Sequence, residues 1–65
     1  MRIYKTPISI EDTHLMTVEE WLTAKNVEFG NYDGSGYWVK DGKESDDEVF
    51  SSEPEDATHV AWYNK

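Results

Sequence analysis

Between Asp41 and Asp56 the chain carries eight carboxylates, Asp41, Glu44, Asp46, Asp47, Glu48, Glu53, Glu55 and Asp56, against one lysine, Lys43. Carboxylates this crowded have three chemistries open to them: acid–base catalysis, cation coordination, and recognition of a positively charged macromolecule. Catalysis needs a cleft that drives the pKa values of two neighbouring acids apart, and a solvated acidic stretch offers none. Calcium needs oxygen ligands at set positions of a loop, with a bidentate acid at the twelfth. Asn31, Asp33 and Ser35 followed by Gly36 imitate the opening of such a loop, but its twelfth position falls on Gly42, and a loop starting at Asp41 has Lys43 in third place. This excludes a dedicated calcium site and leaves only weak divalent binding. Recognition fits the pattern best. In an extended backbone Glu44, Asp46 and Glu48 share one side at intervals of about 6.6 Å, as do Glu53 and Glu55, because a strand rises about 3.3 Å per residue. Two steps along a nucleic-acid strand cover a similar distance, about 6.8 Å, so such a row can imitate a phosphate backbone. Any alternating acidic strand has this spacing, and the plain alternative is a solvated loop that keeps the protein soluble.

The other chemistry-bearing residues are few. His14 and His59 stand in no metal pattern, there is no cysteine, and neither a nucleophile elbow nor a phosphate loop occurs. His59 reads as an ordinary sheet residue. No catalytic residue, metal ligand or cofactor site is expected. Tyrosines can stack on single-stranded bases, but the six basic residues, Arg2, Lys5, Lys25, Lys40, Lys43 and Lys65, are scattered. The net charge of −8 also opposes direct contact with nucleic acid or an anionic membrane. Tyr32 and Tyr37 flank a glycine-rich turn and are expected at the surface, where aromatic rings beside acids suit a protein interface. The expected partner is a basic protein, nucleic-acid-binding proteins among them. The expected role is that of an inhibitor or adaptor whose acids occupy the partner's basic groove. Size and charge of this kind are common in phage and mobile-element proteins, which would place it in a host cytoplasm. The alternative is an accessory module that binds through an aromatic patch or an exposed strand edge.

The elements that must carry these residues can be read from local signals. Arg2 to Lys5 reads as an edge strand, followed by Pro7, which has no N–H for a central ladder. Glu11 to Met16 reads as a polar connection. Thr17 and Glu20 form a capping box, with Met16 and Trp21 at the staple positions, and open a helix from Val18 to about Asn26. Val18, Trp21, Leu22 and Lys25 share one face of it. Val27 and Phe29 alternate with Glu28 as in a strand, and Gly30 to Gly36 reads as a turn. Tyr37 to Lys40 forms a strand ended by the tight-turn pair Asp41-Gly42. In the last strand, Ala57 to Tyr63, Thr58, Val60 and Trp62 face one way and His59, Ala61 and Tyr63 the other. The acidic residues 41–56 fall in a long connection, with Phe50 pinning its middle to the core.

The expected fold is therefore α+β, a single domain over residues 1–65 with three or four antiparallel strands and one helix packed across them. Trp21 and Leu22 are expected to meet an inner face of Val39, Val60 and Trp62, with Ile3 nearby. Nine aromatic residues in 65 supply the core, since each can remove roughly 150–250 Å² from water. A domain of this size buries only about 60% of its unfolded surface, so stability is expected to be modest. No apolar run reaches the roughly 18 residues needed to span a bilayer, and a cytoplasmic location is expected.

Overall fold

The computed structural model describes residues 2–24 and 34–64. In chain order the elements are β1 (Tyr4–Pro7), a 3-10 turn (Ile10–Asp12), β2 (His14–Thr17), α1 (Val18–Ala24), β3 (Gly34–Lys40), β4 (Lys43–Glu48) and β5 (His59–Asn64). The strands form one antiparallel sheet in the order β1-β4-β3-β5-β2. The α+β class is as expected, but the sheet has five strands rather than three or four. Two strands stand where connections were expected: β2 in the polar stretch before the helix, and β4 inside the acidic segment. The strand expected at Val27 and Phe29, the Asn26 cap, Lys25 and the start of the glycine turn lie outside the described residues.

The turn at Asp41-Gly42 explains why an acid-rich segment becomes a strand. Both residues have positive φ, 54° and 75°, as a two-residue hairpin turn requires. Such a turn sends the chain straight back beside β3, pairing Lys40 with Lys43. Strand preference is set largely by neighbours, and here the hairpin overrides the poor preference of Asp and Glu. β1 closes the other side of β4, pairing Tyr4 with Ser45 and Pro7 with Lys43. Pro7 is tolerated because β1 is an edge strand. At the helix start, Glu20 Oε1 accepts from the Thr17 N–H at 3.1 Å and Thr17 Oγ1 accepts from the Glu20 N–H at 3.1 Å. This reciprocal cap lets β2 pass into α1 with no loop between them.

One face of the sheet carries the core of Trp21, Trp38, Val49, Val60 and Trp62. Trp21, 1% exposed, stacks on Trp62 with ring centroids 5.4 Å apart. Its burial contributes on the order of 4–6 kcal/mol at about 25 cal/mol per Å², comparable to the whole net stability of a small domain. Gly36 gives Trp62 its seat: a Cβ there would lie 2.8 Å from Trp62 Cε3 and 2.9 Å from Val49 Cγ2.

The opposite face holds Val39 and Ala61, 2% and 0% exposed, beside the half-buried Tyr37 and Tyr63. β1 and β2 lie at opposite edges, so residues 8–13 must cross the sheet, and they do so over this face. The Ile8 N–H donates to the Gly42 carbonyl at 3.3 Å, and Ser9 and Thr13 lie close enough to the Tyr63 hydroxyl to act on its pKa.

Three expected core positions are corrected. Trp38 takes the inner side of β3, so Val39 beside it points to the opposite face. Ile3 is 65% exposed, and Leu22 is 46% exposed because Trp21, with the half-buried Val18, fills the space beneath so short a helix. No helix among the described residues is long and apolar enough to cross a membrane.

Gly36→Ala should destabilise the fold by about 1–3 kcal/mol, the usual cost of overpacking a filled core. Thermal unfolding should show this as a fall of roughly 4–8 °C per kcal/mol for a domain of this size. An unchanged melting temperature would contradict the close seat of Trp62.

Candidate functional site

The acidic segment is organised by the chain's only arginine. Arg2 precedes β1, and its side chain is 2% exposed. Its Nε donates to Asp47 Oδ2 at 2.8 Å, its Nη1 to the Pro54 carbonyl at 3.0 Å and its Nη2 to the Glu53 carbonyl. The guanidinium lies over Trp38, 5.4 Å from the ring centroid. Burial alone lowers the pKa of such a group, but hydrogen bonds with Asp47 and Tyr4 outweigh it and hold the guanidinium charged, its pKa raised. The planar guanidinium reaches the three acceptors from three different nitrogens at once.

Further bonds fix the rest of the segment. Trp38 Nε1 donates to Ser52 Oγ at 2.7 Å, and the Ser52 hydroxyl donates to the Glu48 carbonyl at 2.6 Å. The Val49 N–H donates to the Gly36 carbonyl at 2.9 Å, and its side chain enters the core. The Thr58 N–H donates to the Val39 carbonyl at 2.9 Å. The residue that pins the segment is thus Val49, where Phe50 was expected. Phe50 is 55% exposed and sets its ring edge-on against Trp21 and Trp62, at 5.3 and 5.7 Å.

With the backbone held inward, six of the eight carboxylates, Asp41, Asp46, Asp47, Glu48, Glu53 and Glu55, are exposed. The other two are half-buried and bonded. Asp56 Oδ1 accepts from the Tyr4 hydroxyl at 2.8 Å, with Lys40 Nζ 3.6 Å from Oδ2. Glu44 Oε2 accepts from the Tyr63 hydroxyl at 2.7 Å. The bond from Tyr4, with Lys40 adding to it, holds the Asp56 carboxyl below its ordinary pKa. Burial is the main cause that pushes the Tyr4 and Tyr63 hydroxyls up.

The straight row expected along Glu44, Asp46 and Glu48 does not form. The β3–β4 ladder is irregular between Tyr37, opposite Glu48, and Val39, opposite Glu44, so side chains cannot alternate evenly. Glu44 turns to Tyr63 on one face, and Asp47 reaches Arg2 on the other. The acids are thus divided between the two faces of the sheet at β4 and the segment that follows it. Tyr37 belongs to this neighbourhood, opposite Glu48 and with its ring 6.3 Å from that of Tyr63, but it is half-buried within β3 instead of flanking a turn. Tyr32 lies outside the described residues.

Sequence reasoning did not find Arg2, Tyr4, Ser52 or Tyr63. The lone arginine was the available signal, but no spacing rule links residue 2 to residue 47. The histidines sit at opposite ends of the β2–β5 ladder, His14 opposite Trp62 and His59 opposite Thr17. Among the described residues no three His, Asp or Glu side chains are grouped to hold a metal ion.

The chain matches no family model, no curated protein and no solved structure.

The Tyr4–Asp56 bond has a pH signature. A carboxylate with a lowered folded pKa adds stability that is complete above its unfolded pKa, about 3.9, and lost as pH falls through the folded value. Wild type should therefore be more stable than Tyr4→Phe at pH 7, with the difference shrinking below about pH 4. Urea unfolding of both proteins across this range checks it; a difference that stays constant with pH would show that Asp56 is not the source.

Proposed function

We propose that this domain binds a basic surface of a partner protein, of the kind that otherwise holds nucleic acid, and acts as an inhibitor or adaptor by occupying it. The observation that carries this reading is the contrast in the 41–56 segment between a backbone tied down at Val49, Ser52, residues 53–54 and Thr58 and carboxylates that point outward. A solubilising loop does not need its main chain fixed by a buried arginine. A recognition surface does, because ordering a flexible segment on binding weakens the complex. Opposite charge raises the association rate and excludes acidic competitors. The irregular placement of the acids favours a partner that reads a dense negative patch over one that reads an evenly spaced strand.

A second reading rests on β2. It ends the sheet, Leu15 on it is 42% exposed, and it has neither proline nor lysine to blunt its outer edge. β1 at the other edge has Pro7, Lys5 and an irregular ladder. Strand addition to β2 would supply the alternative interaction mode.

The test is capture from a cell extract on immobilised wild-type protein and on a variant with Asp46→Asn, Glu48→Gln, Glu53→Gln and Glu55→Gln. These acids are exposed and make no side-chain hydrogen bond in the fold described above. Proteins held through the patch should elute from wild type at distinctly higher salt than from the variant, since screening acts on exposed charges. Equal recovery at every salt concentration would remove the acidic patch as the binding surface and leave β2.

A further inference from the structure

Beside the acidic patch, α1 and residues 49–54 enclose a cleft of about 160 Å³. Trp21 and Trp38 form its floor, and exposed Leu22 and Phe50 share its accessible lining with Ser52, Glu53 and Pro54, so the walls are part apolar and part polar. Pockets for cofactors and drug-like molecules measure roughly 300–1,000 Å³, so this smaller cleft suits a single side chain. Its floor is rigid, because the Trp21 ring is stacked and the Trp38 indole is hydrogen-bonded to Ser52. Charge decides what can enter. Glu53 belongs to the lining, exposed Glu48 and Glu55 lie on the same segment, and exposed Glu19 and Glu20 begin the helix that forms the other wall. A second copy of this chain, with net charge −8, would bring acids against acids, and nucleic acid or an anionic lipid would meet the same repulsion.

We infer that the cleft receives one aliphatic or aromatic side chain from a basic segment of the partner, and that Leu22 and Phe50 grip this side chain while the surrounding carboxylates pair with its Lys and Arg neighbours. This rests on the acidic-patch reading and adds to it an anchor: binding sites commonly centre on a desolvated apolar pocket within a polar rim. It also explains the exposure of Leu22 and Phe50 in so polar a chain, since a preformed pocket must keep its walls open.

The test uses the full chain and two synthetic Lys/Arg peptides that differ only at the centre, leucine in one and glycine in the other. Binding is followed by NMR titration of the tryptophan indole N–H signals at low salt. The leucine peptide should bind about tenfold more tightly or better, the order expected when one aliphatic side chain leaves water, and should shift the Trp38 indole signal. Leu22→Ser, checked as folded by its spectrum, should reduce this preference to about twofold or less. Equal affinity for both peptides would overturn the inference while leaving the acidic patch standing. An absolute affinity for the leucine peptide that stays unchanged in the variant with Asp46, Glu48, Glu53 and Glu55 neutralised would support the cleft and overturn the patch reading. Binding of neither peptide would overturn both.

Discussion

The guanidinium of Arg2 meets a constraint that the composition imposes. Sixteen residues with a net charge of −7 have to be folded against a sheet, although two carboxylates about 6.6 Å apart repel by roughly 0.6 kcal/mol even in water. Neutralising them all inside the fold would need as many buried cations. Among the described residues the fold instead buries one, Arg2, and turns two of its donors to the main-chain carbonyls of Glu53 and Pro54. The positive charge thereby organises the backbone without pairing most of the acids, so the carboxylates stay in water, where their hydration costs nothing to keep. Hydrogen bonds to a charged group are worth about 1.5–3 kcal/mol each, enough to offset several neighbouring repulsions.

The tryptophan core is what makes that arrangement firm. Trp38 is shared between the two systems: its ring lies under Arg2, its indole N–H reaches Ser52, and its strand neighbours hold Trp62 and Val60 against Trp21. A loosening of either system is felt by the other through this one ring. The cleft beside the patch follows from the same geometry. Val49 descends into the core and Phe50, next in the chain, is left on the rim facing Leu22.

Much of the scaffold was legible from local chemistry. The capping box at Thr17 and Glu20, the Asp41-Gly42 turn, the edge position forced by Pro7 and the two-faced pattern of β5 all depend on residues close in sequence, whose effects do not wait for the tertiary fold. β2 was not legible because four residues are too few to show an alternating pattern and Thr17 carries the stronger signal of a helix cap, while the pairing with β5 is imposed across more than forty positions. β4 was hidden for a related reason: its acids argue against a strand, and only the hairpin turn and the arrival of β1 on its far side make it one. The acidic segment was recognisable as a candidate surface from composition alone. Its even row of charges was not, since the ladder irregularity opposite Tyr37 and Val39 depends on three-strand packing.

The central claim is that Arg2 fixes the acidic segment from within. Amide hydrogen exchange on wild type and Arg2→Lys measures it directly, because lysine keeps the charge but carries its donors on a single nitrogen and cannot reproduce the planar fork that reaches Asp47, Glu53 and Pro54. The account predicts that in wild type the Val49 and Thr58 amides exchange slowly, with the sheet, and that in Arg2→Lys residues 49–58 lose protection selectively while β3 and β5 retain theirs. Equal protection of this segment in both proteins would contradict it.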